Sequence, residues 1–306
     1  MSVVVLFVLV AVFIVISIYQ LCLIFIAVRP FIFSRAQVEL KSISPVEDGP
    51  ERIARIIHQV WKSQNISTYP AIASREYWIS ECGGDWIVKL WDDEKILDLI
   101  KRDYNWILSL YLSYAFDIQR ADIARLIILH SEGGLYSDLD AFPRPGSGLR
   151  IISRGLLQHD AVIFRSTDGF IATNHLILAQ KGSPLLMHAL KSAKYYNVPI
   201  CLPYLRVFYS TGPIFFHFVV QDYLSTCKIG NCDILRLAGH HAEEIALHRA
   251  GRSWLSADGV FFNWLGDNHL VLPFIQLCVL IVLLILMGLI ALRCRTMHQE
   301  KSMRKH

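Results

Sequence analysis

Charge is missing from two long stretches of this 306-residue chain, and no repeat or low-complexity segment is apparent. Residues 3 to 28 and residues 270 to 292 contain no Asp, Glu, Lys or Arg. At about 1.5 Å per helical residue, each run is long enough to cross a hydrocarbon core of about 30 Å. The N-terminus also lacks the basic start of a cleaved signal peptide. These absences predict one membrane helix at each end of a single folded domain.

The predicted organisation has five segments. Residues 1–29 form an N-terminal transmembrane anchor, 30–51 a short linker, 52–269 a lumenal domain, 270–292 a C-terminal transmembrane helix and 293–306 a basic cytosolic tail. The approach to the second helix has no Lys or Arg, whereas the tail is rich in both. Basic residues favour the cytosolic side, so both termini are predicted to be cytosolic. A glycosylation sequon at Asn65 fits a lumenal domain.

Cysteine is also sparse, with seven residues in the chain. Cys227 and Cys232 bracket a tight turn and could pair in an oxidising compartment, although spacing alone leaves the pairing open. The cysteines do not show the pattern of zinc ligands. The net charge of +4 comes largely from the tail. It therefore gives no indication of nucleic-acid binding, and it favours contact with anionic lipid instead.

The chain is organised around residues 117 to 146, DIQRADIARLIILHSEGGLYSDLDAFPRPG. An apolar helix is predicted to end at Gly133 and Gly134, because glycine readily adopts the left-handed conformation that closes helices. A short strand follows and places Asp138 and Asp140 at its carboxyl end. Ligand crevices of open α/β sheets form there, and carboxylates at i and i+2 of a strand point the same way. Such a pair suits Mg²⁺ or Mn²⁺, which would hold a diphosphate, so the pattern predicts nucleotide-sugar transfer.

Two charged residues lie on the helix before this strand. Asp122 and Arg125 share a face with Ile118 and Leu129, so a charged pair interrupts an apolar stripe. One interpretation is an intrahelical ion pair, which contributes roughly a few tenths of a kcal/mol when it is exposed. The other is a grip on a donor sugar, with Asp122 accepting from hydroxyls and Arg125 countering a carboxylate or phosphate.

Other elements are predicted from apolar runs and turn residues. A buried, parallel-type strand opens the domain at residue 53, and a second strand is predicted at residues 86 to 91. A helix is expected over residues 93 to 112. Asp92 or Asp93 is interpreted as the cap of that helix in preference to a second metal pair. Further predictions are a strand at 161 to 164 and a helix from residue 185.

The segment RADIARLIILHSEGGLYSDLD resembles the signature of glycosyltransferase family 32, in which a helical Asp and Arg precede Gly-Gly, an aromatic residue and Asp-X-Asp. Three other segments agree in order and rough spacing: RIIHQVWKS at 55 to 63, LWDDEKI at 90 to 96 and STGP at 210 to 213. The resemblance covers about residues 50 to 260. It implies an α/β fold, the Rossmann-like type A glycosyltransferase domain, and a metal-dependent hexosyltransferase that retains the anomeric configuration.

The same resemblance implies the other donor-binding positions. It places His58, Gln59 and Trp61 at the carboxyl end of the opening strand, near the donor base and sugar. Trp61 offers a stacking face, and the alternative is that it fills core. Asn174 becomes a ligand-binding position, whereas on its own it would be interpreted as a surface amide. Gly212 lets the backbone approach a ligand closely.

The metal ligands are implied in part by the resemblance. Asp140 is expected to bind Mn²⁺ or Mg²⁺ directly, and Asp138 to bridge metal, ribose and sugar. His248 is the first choice for a third ligand and Asp258 the second. Similar proteins have a second His where this chain has Leu255, so the third ligand stays open. The predicted catalytic residues are Asp122, Arg125, Asp138 and Asp140.

The predicted acceptor follows from the predicted membrane helices at both ends of the domain. A short linker and a helix directly after the domain would hold the active site at the bilayer, which suits a sphingolipid head group. The arrangement resembles the catalytic subunits of mannosyl inositol phosphorylceramide synthases. This implies mannose transfer from GDP-mannose to inositol phosphorylceramide in sphingolipid biosynthesis at the Golgi membrane, together with a regulatory membrane subunit.

Two other functions stay open at this level. One is a Golgi mannosyltransferase or other glycosyltransferase that uses GDP-mannose or another nucleotide sugar and acts on protein or glycan. The other is a non-enzymatic membrane scaffold that has kept the fold. The joint presence of Asp122, Arg125, Asp138 and Asp140 argues against the scaffold.

Overall fold

The computed structural model describes residues 50–166, 171–227, 232–249 and 257–267, with residues 15, 18–22 and 25 near the N-terminus. The chain divides into two compact units, residues 1–254 and residues 255–306. The first unit contains the sheet and the helices around it. In the second unit the described residues form a single helix.

The elements of the first unit alternate between strand and helix for most of its length. Its strands are β1 (Ile56–Val60), β2 (Ile87–Trp91), β3 (Gly134–Ser137), β4 (Ala141–Pro143), β5 (Ala161–Arg165), β6 (Ala172–Ala179), β7 (Ile234–Leu237) and β8 (Ala246–His248). Its helices are α1 (Arg75–Glu81), α2 (Asp93–Asp103), α3 (Leu108–Ser113), α4 (Asp117–Glu132), α5 (Gly148–Gly155), α6 (Pro184–Tyr196), α7 (Pro203–Ser210), α8 (Pro213–Thr226) and α9 (Gly239–Ile245), with short 3-10 turns at Ile66–Thr68 and Asn105–Ile107. The helix of the second unit is α10 (Ala257–Asp267).

Six strands form a mixed sheet in the order β2-β1-β3-β6-β5-β7. Strand β1 is parallel to β2 and β3, and β5 is parallel to β7. Strand β6 runs antiparallel to both of its neighbours, β3 and β5. The amino end of β6 therefore lies at the same edge of the sheet as the carboxyl ends of β3 and β5. A separate antiparallel pair is formed by β4 and β8.

Apolar side chains cover both faces of the six-stranded sheet. On one face α4 packs with α6, and α8 packs with α6 and β6. The other face is covered by a second cluster of buried apolar side chains, which includes Ile53, Trp78 and Phe164. Helix α4 is buried over most of its circumference, so the folding of this helix carries Asp122 and Arg125 into the interior as well.

Most of the elements predicted between the two chain ends are observed. The opening strand, predicted from residue 53, is β1 and begins at Ile56. Its parallel type is confirmed by its pairing with β2 and β3. The single helix expected over residues 93 to 112 is instead α2, a 3-10 turn and α3, because Tyr104 leaves helical geometry with φ −129 and ψ 30. Asp92 accepts from the Lys95 N–H at 2.9 Å, so the capping interpretation is confirmed.

Cys227 and Cys232 form a disulfide. The bond joins the residue after α8 to the segment that leads into β7. This contact decides the pairing that sequence spacing left open. Cys82 is buried and Cys201 is exposed, and both are free thiols.

The two predicted membrane helices require a correction. Among the described residues, no helix combines the length and the apolar character needed to cross a membrane. The longest described helix, α4, has 16 residues, whereas a hydrocarbon core of about 30 Å needs about 20. Most of residues 3 to 28 and all of residues 270 to 292 lie outside the described part of the chain. The predictions of a fold flanked by transmembrane helices, and of a two-pass Golgi membrane topology, are corrected on this finding.

Candidate active site

The Asp-X-Asp segment lies at the carboxyl end of β3, as predicted. Asp138 directly follows the last residue of β3, and its N–H donates to the carbonyl of His175 at 3.0 Å. The chain then turns, with the Ala141 N–H donating to the carbonyl of Asp138 at 3.0 Å, and enters β4. Asp140 is part of this turn. The two carboxylates are therefore brought to one place by a turn and not by the alternation of a strand.

Two glycines place β3 close to its neighbours. Gly133 ends α4 with φ 71, and Gly134 starts β3 with φ 114. A Cβ atom on Gly134 would lie 2.5 Å from the carbonyl oxygen of Ile56 on β1. A Cβ atom on Gly133 would lie 2.7 Å from the backbone nitrogen of Lys181. Because both positions have a positive φ and neither has room for a side chain, glycine is required here. The predicted stop of the helix at these residues is confirmed.

Strand β8 carries His248 to the Asp-X-Asp turn. His248 pairs with Ala141 of β4, and the Arg249 N–H donates to the carbonyl of Asp140 at 2.9 Å. The Nε2 atom of His248 lies 3.3 Å from Oδ1 of Asp140. One ligand atom from each of Asp138, Asp140 and His248 lies within 4.8 Å of the others. We call these three residues the metal group.

The donor set and the charges of the metal group fit a divalent cation. Carboxylate oxygens with one imidazole nitrogen are ligands that Mn²⁺ accepts well. Burial raises the pKa of Asp138, and the charge of Asp140 raises it further while Arg125 lowers it. Burial opposes protonation of His248, but its hydrogen bond to Asp140 and the two carboxylate charges raise its pKa above the usual value. A cation between these side chains would relieve the repulsion of the carboxylates.

Two predicted features of the C-terminal segment stay predictions. Asp258, the alternative third ligand, lies on α10 in the second unit. Leu255 and the segment before it, residues 251 to 254, lie outside the described residues.

A second histidine stacks on His248. The rings of His175 and His248 are 4.1 Å apart between centroids and are tilted by 7°. Burial lowers the pKa of His175 to about 3, and the neighbouring charge of His248 lowers it too. His175 is therefore a neutral ring at physiological pH. Sequence reasoning missed this residue, because nothing in the local pattern of β6 distinguishes it.

Asp122 is the centre of a buried hydrogen-bond network. Its Oδ1 atom lies 2.8 Å from Nη2 of Arg125 and accepts from the side-chain amide of Asn174 at 3.1 Å. Its Oδ2 atom accepts from the hydroxyl of Thr211 at 2.9 Å. Asp122 and Arg125 are 4% and 3% exposed, so the intrahelical ion pair is present but is buried and not at the surface. Burial raises the pKa of Asp122 to about 6, against the opposing effect of Arg125 and the two hydrogen bonds.

Arg125 connects this network to the metal group. Its Nη1 atom donates to the carbonyl of Asn174 at 2.6 Å and lies 3.4 Å from Oδ1 of Asp138. The guanidinium stands 4.7 Å above the ring of Tyr136. The hydroxyl of Tyr136 donates to the same Oδ1 of Asp138 at 2.7 Å. The structure thus places one face of the Asp138 carboxylate against a cation and a hydroxyl, both from buried residues.

His58 is fully buried and bonded within the fold. Its Nε2 lies 2.8 Å from the carbonyl of Gly133, and its Nδ1 accepts from the indole of Trp91 at 3.1 Å. Burial lowers the pKa of His58 to about 4, so the ring is neutral. His58 therefore ties β1 to the end of α4, and its predicted contact with the donor stays a prediction.

Gln59 supports the Asp-X-Asp turn through Ser74, a residue that sequence reasoning missed. The amide of Gln59 donates to the Ser74 hydroxyl at 2.9 Å. The Ser74 N–H in turn donates to the carbonyl of Leu139 at 2.7 Å. Both Gln59 and Ser74 are fully buried. The structure brings Gln59 behind the turn, and its donor-binding role stays a prediction.

Trp61 follows β1 and packs against a tyrosine whose pKa is affected by the charges of the metal group. Its indole N–H donates to the Thr68 hydroxyl at 2.7 Å, and its ring meets Tyr69 edge-on at 4.9 Å. Burial and the charges of Asp140 and Asp138 raise the pKa of Tyr69. Trp61 is partly exposed, so it does not simply fill core. Its stacking on a donor base stays a prediction, and Tyr69 was not foreseen.

Asn174 and Gly212 both lie at the Asp122 network. Asn174 is buried on β6 and uses its side-chain amide and its carbonyl as described above. Gly212 precedes α8 and follows Thr211, where a Cβ would lie 2.9 Å from Cα of Phe208. The Thr211 hydroxyl was missed as a site group, although it belongs to the STGP segment.

The fold and the site together define a class. A mixed α/β sheet with an acidic Asp-X-Asp turn at the carboxyl end of a central strand, next to a buried Asp and Arg, is the arrangement of the DXD glycosyltransferases. Residues 71–146 match the family model described as "Glycosyltransferase sugar-binding region containing DXD motif". The matched region includes α4, β3 and the Asp-X-Asp turn.

Relatives that cover most of the chain agree with this class. The chain is 31% identical over 247 residues to "Inositol phosphoceramide mannosyltransferase 1" of Schizosaccharomyces pombe, covering 79% of this chain and 74% of the relative. It is 30% identical over 236 residues to "Mannosyl phosphorylinositol ceramide synthase CSH1" of Saccharomyces cerevisiae, covering 74% of this chain and 58% of that relative. The solved structure of "PaToxG Glycosyltransferase" covers 69% of this chain and 77% of its own, at 20% identity and a TM-score of 0.38. The chain belongs to the DXD glycosyltransferase family, as the resemblance to family 32 predicted.

Proposed function

We propose that the chain is a retaining mannosyltransferase that moves mannose from GDP-mannose to inositol phosphorylceramide and so makes a mannosylated sphingolipid. The observation that carries the proposal is the metal group, with three ligand atoms within 4.8 Å of one another, beside the buried Asp122 network. The names of the two relatives support the acceptor and the sugar. A regulatory subunit is part of the proposal as a partner.

In the proposed reaction Asp138, Asp140 and His248 hold Mn²⁺ or Mg²⁺. Such a cation, when bound, neutralises the charge that develops on a leaving diphosphate. Arg125 and Tyr136 orient the Asp138 carboxylate, since both contact its Oδ1 atom. Orientation by buried neighbours keeps the carboxylate in one geometry before substrate arrives, which lowers the reorganisation needed in the transition state.

Asp122 is the proposed contact for the donor sugar. An ionised carboxylate offers about four acceptor positions, and three of these are filled by Arg125, Asn174 and Thr211. The remaining position suits one sugar hydroxyl. Asn174 and Gly212 lie beside it, which supports their place in the donor site. Arg125 adds positive charge next to the carboxylates, so the site can hold anionic phosphate without excessive repulsion.

The attack on the sugar is proposed to take place without a covalent enzyme intermediate. Asp122 is committed to its three neighbours and to one sugar hydroxyl, and Asp138 and Asp140 are committed to the metal group. The acceptor hydroxyl would then attack on the face that the diphosphate leaves, which retains the anomeric configuration. The chain contributes the alignment of the two substrates and the electrostatic field around them.

The test compares the purified chain with Asp140→Ala and Asp138→Asn variants. Each protein is incubated with labelled GDP-mannose, Mn²⁺ and detergent-dispersed inositol phosphorylceramide, with and without a candidate regulatory subunit, and the labelled lipid is measured. We expect product with the wild type and a loss of at least about 100-fold in both variants, because each removes a carboxylate charge from the metal group at the leaving group. Asp85→Asn is the matched control, since the Asp85 side chain is 80% exposed.

The outcomes separate substrate from reaction class. Turnover with a UDP-sugar or with an oligosaccharide acceptor, but not with GDP-mannose and the lipid, would keep the transferase and overturn the proposed substrates. A wild-type chain with neither transfer nor metal-dependent hydrolysis of any nucleotide sugar would favour a scaffold. An equal loss of transferase activity in Asp85→Asn would mean that the losses in the other variants come from impaired folding and not from the metal group.

A further inference from the structure

The backbone of His248 is held firmly, whereas its ring is partly exposed. Strand β8 pairs with β4, and the next residue, Arg249, donates its N–H to the carbonyl of Asp140. The side chain of His248 is nevertheless 35% exposed. A side chain that is only partly buried retains rotamer freedom, and ordering it on metal binding costs free energy. A neighbour that fixes the ring in advance reduces this cost.

His175 provides such a neighbour. It lies on β6, which is paired on both sides, with β3 and with β5. Its ring lies 4.1 Å from that of His248 and is tilted by only 7°, which is face-to-face stacking. Its carbonyl also accepts from the N–H of Asp138 at 3.0 Å. One residue of a central strand therefore contacts the main chain of one metal-group residue and the ring of another.

We propose that His175 is a positioning residue of the metal group and not a ligand. By stacking on His248 it holds that imidazole in the plane that directs Nε2 toward Asp140, 3.3 Å away. The inference rests on the proposed metal binding by Asp138, Asp140 and His248. It adds a residue whose contribution is the orientation of a ligand, and this contribution depends on the flat shape of the ring.

The shape requirement gives a direct test by Mn²⁺ affinity. Free Mn²⁺ is measured by electron paramagnetic resonance while the metal is titrated into the purified full chain. His175→Phe keeps a flat ring against His248, whereas His175→Leu introduces a side chain of similar size that has no ring face. We expect the Kd for Mn²⁺ to rise about tenfold with Leu and to stay within about threefold of wild type with Phe, as for other outer neighbours of metal ligands.

A spectroscopic readout distinguishes orientation from general destabilisation. Bound Mn²⁺ should show coupling to the nitrogen of one imidazole in the wild type and in His175→Phe. The coupling should be lost in His248→Ala and weakened or altered in His175→Leu. His188→Leu is the matched control, because His188 lies on α6 and bonds to Asp222 at 2.8 Å, away from the metal group. This variant should leave both the affinity and the coupling unchanged.

Different results would overturn the positioning role of His175 and the metal group on which it rests. Equal Mn²⁺ affinity in wild type, His175→Leu and His175→Phe, with weakened binding in His248→Ala, would overturn the positioning role and keep the metal site. Two imidazole couplings, one of them lost in both His175 variants, would make His175 a ligand and also overturn the inference. Unchanged binding in His248→Ala and Asp140→Ala would overturn the metal group itself.

Discussion

At the scale of single residues, burial decides what the charged groups of the site do. An exposed Asp and Arg three positions apart would contribute little, because water competes with the pair. Asp122 and Arg125 are almost completely buried, so each needs partners for its remaining polar atoms. Those partners, Asn174, Thr211 and Asp138, come from three different segments of the chain. The network is thus both a structural requirement of the buried charges and the scaffold of the proposed donor site.

The Thr211 hydroxyl provides a test of this network. In Thr211→Val the shape of the side chain is kept, but Oδ2 of Asp122 loses its donor at 2.9 Å. We expect the free energy of unfolding to fall by about 1–3 kcal/mol, which is typical for a buried charged acceptor that loses a partner. Chemical denaturation measures this difference, and transferase activity should fall as well.

Thr211→Ser is the matched variant, since it keeps the hydroxyl and removes only a methyl group. Its stability should be closer to wild type than that of the valine variant. If the two variants lower the free energy of unfolding equally, the hydrogen bond to Asp122 does not explain the loss of stability, which then comes from packing.

At the scale of elements, β6 joins the two halves of the site. Neighbouring residues of a strand point to opposite faces, and this alternation separates the roles of Asn174 and His175. Asn174 reaches Asp122 on α4, whereas His175 stacks on His248 of β8. Because β6 is antiparallel, its amino end lies beside the carboxyl end of β3, where Asp138 is. If β6 were parallel to β3, its carboxyl end would lie beside the metal group in place of its amino end.

The close approach of β3 to β1 predicts a large effect of Gly134→Ala. The new Cβ would lie 2.5 Å from the carbonyl of Ile56 and 3.2 Å from the ring of His58, at a φ of 114. We expect a loss of at least about 2 kcal/mol in unfolding free energy, because steric overlap adds to backbone strain.

Gly182→Ala separates these two causes. Gly182 also has a positive φ, 72, but an added Cβ would meet nothing within 4 Å. This variant should cost only about 1 kcal/mol, the strain alone. Similar losses in both variants, measured by chemical denaturation, would contradict the steric role of Ile56.

At the scale of the whole molecule, the packing of helices on the sheet makes stability depend on pH. His217 on α8 is buried, and its Nδ1 accepts from the N–H of Ala172 on β6 at 3.2 Å. Burial lowers the pKa of His217 to about 4, and the charge of Arg165 lowers it too. An unfolded chain binds this proton near pH 6.5. The contribution of His217 to stability is therefore present above pH 6.5 and is lost as the pH falls toward 4.

His217→Asn should remove this dependence while keeping an acceptor for Ala172. The unfolding free energy of the wild type, relative to that of the variant, should fall by up to roughly 3 kcal/mol between pH 7 and pH 4. Denaturant unfolding at several pH values measures the two curves. Parallel curves would show that the His217 proton is held equally in the folded and unfolded states, against the prediction.

The sequence by itself determined the local features of this protein. The helix that ends at Gly133, the strand that follows, the position of Asp138 at its end and the cap at Asp92 all depend on residues within a few positions of each other. Backbone preferences and side chain to backbone hydrogen bonds act at this range. The spacing of Asp122, Arg125 and the Asp-X-Asp pair was also enough to identify the family.

Only the tertiary structure decided which distant residues meet. Thr211 is 89 positions from Asp122, and Asn174 is 52 positions from it; the stack of His175 on His248 is also invisible to any local pattern. Hydropathy of the chain ends, likewise a local property, led to the two membrane helices that required correction. Contacts between distant segments depend on how strands are ordered and how helices cover them, and many sequences with the same local preferences could be packed in other ways.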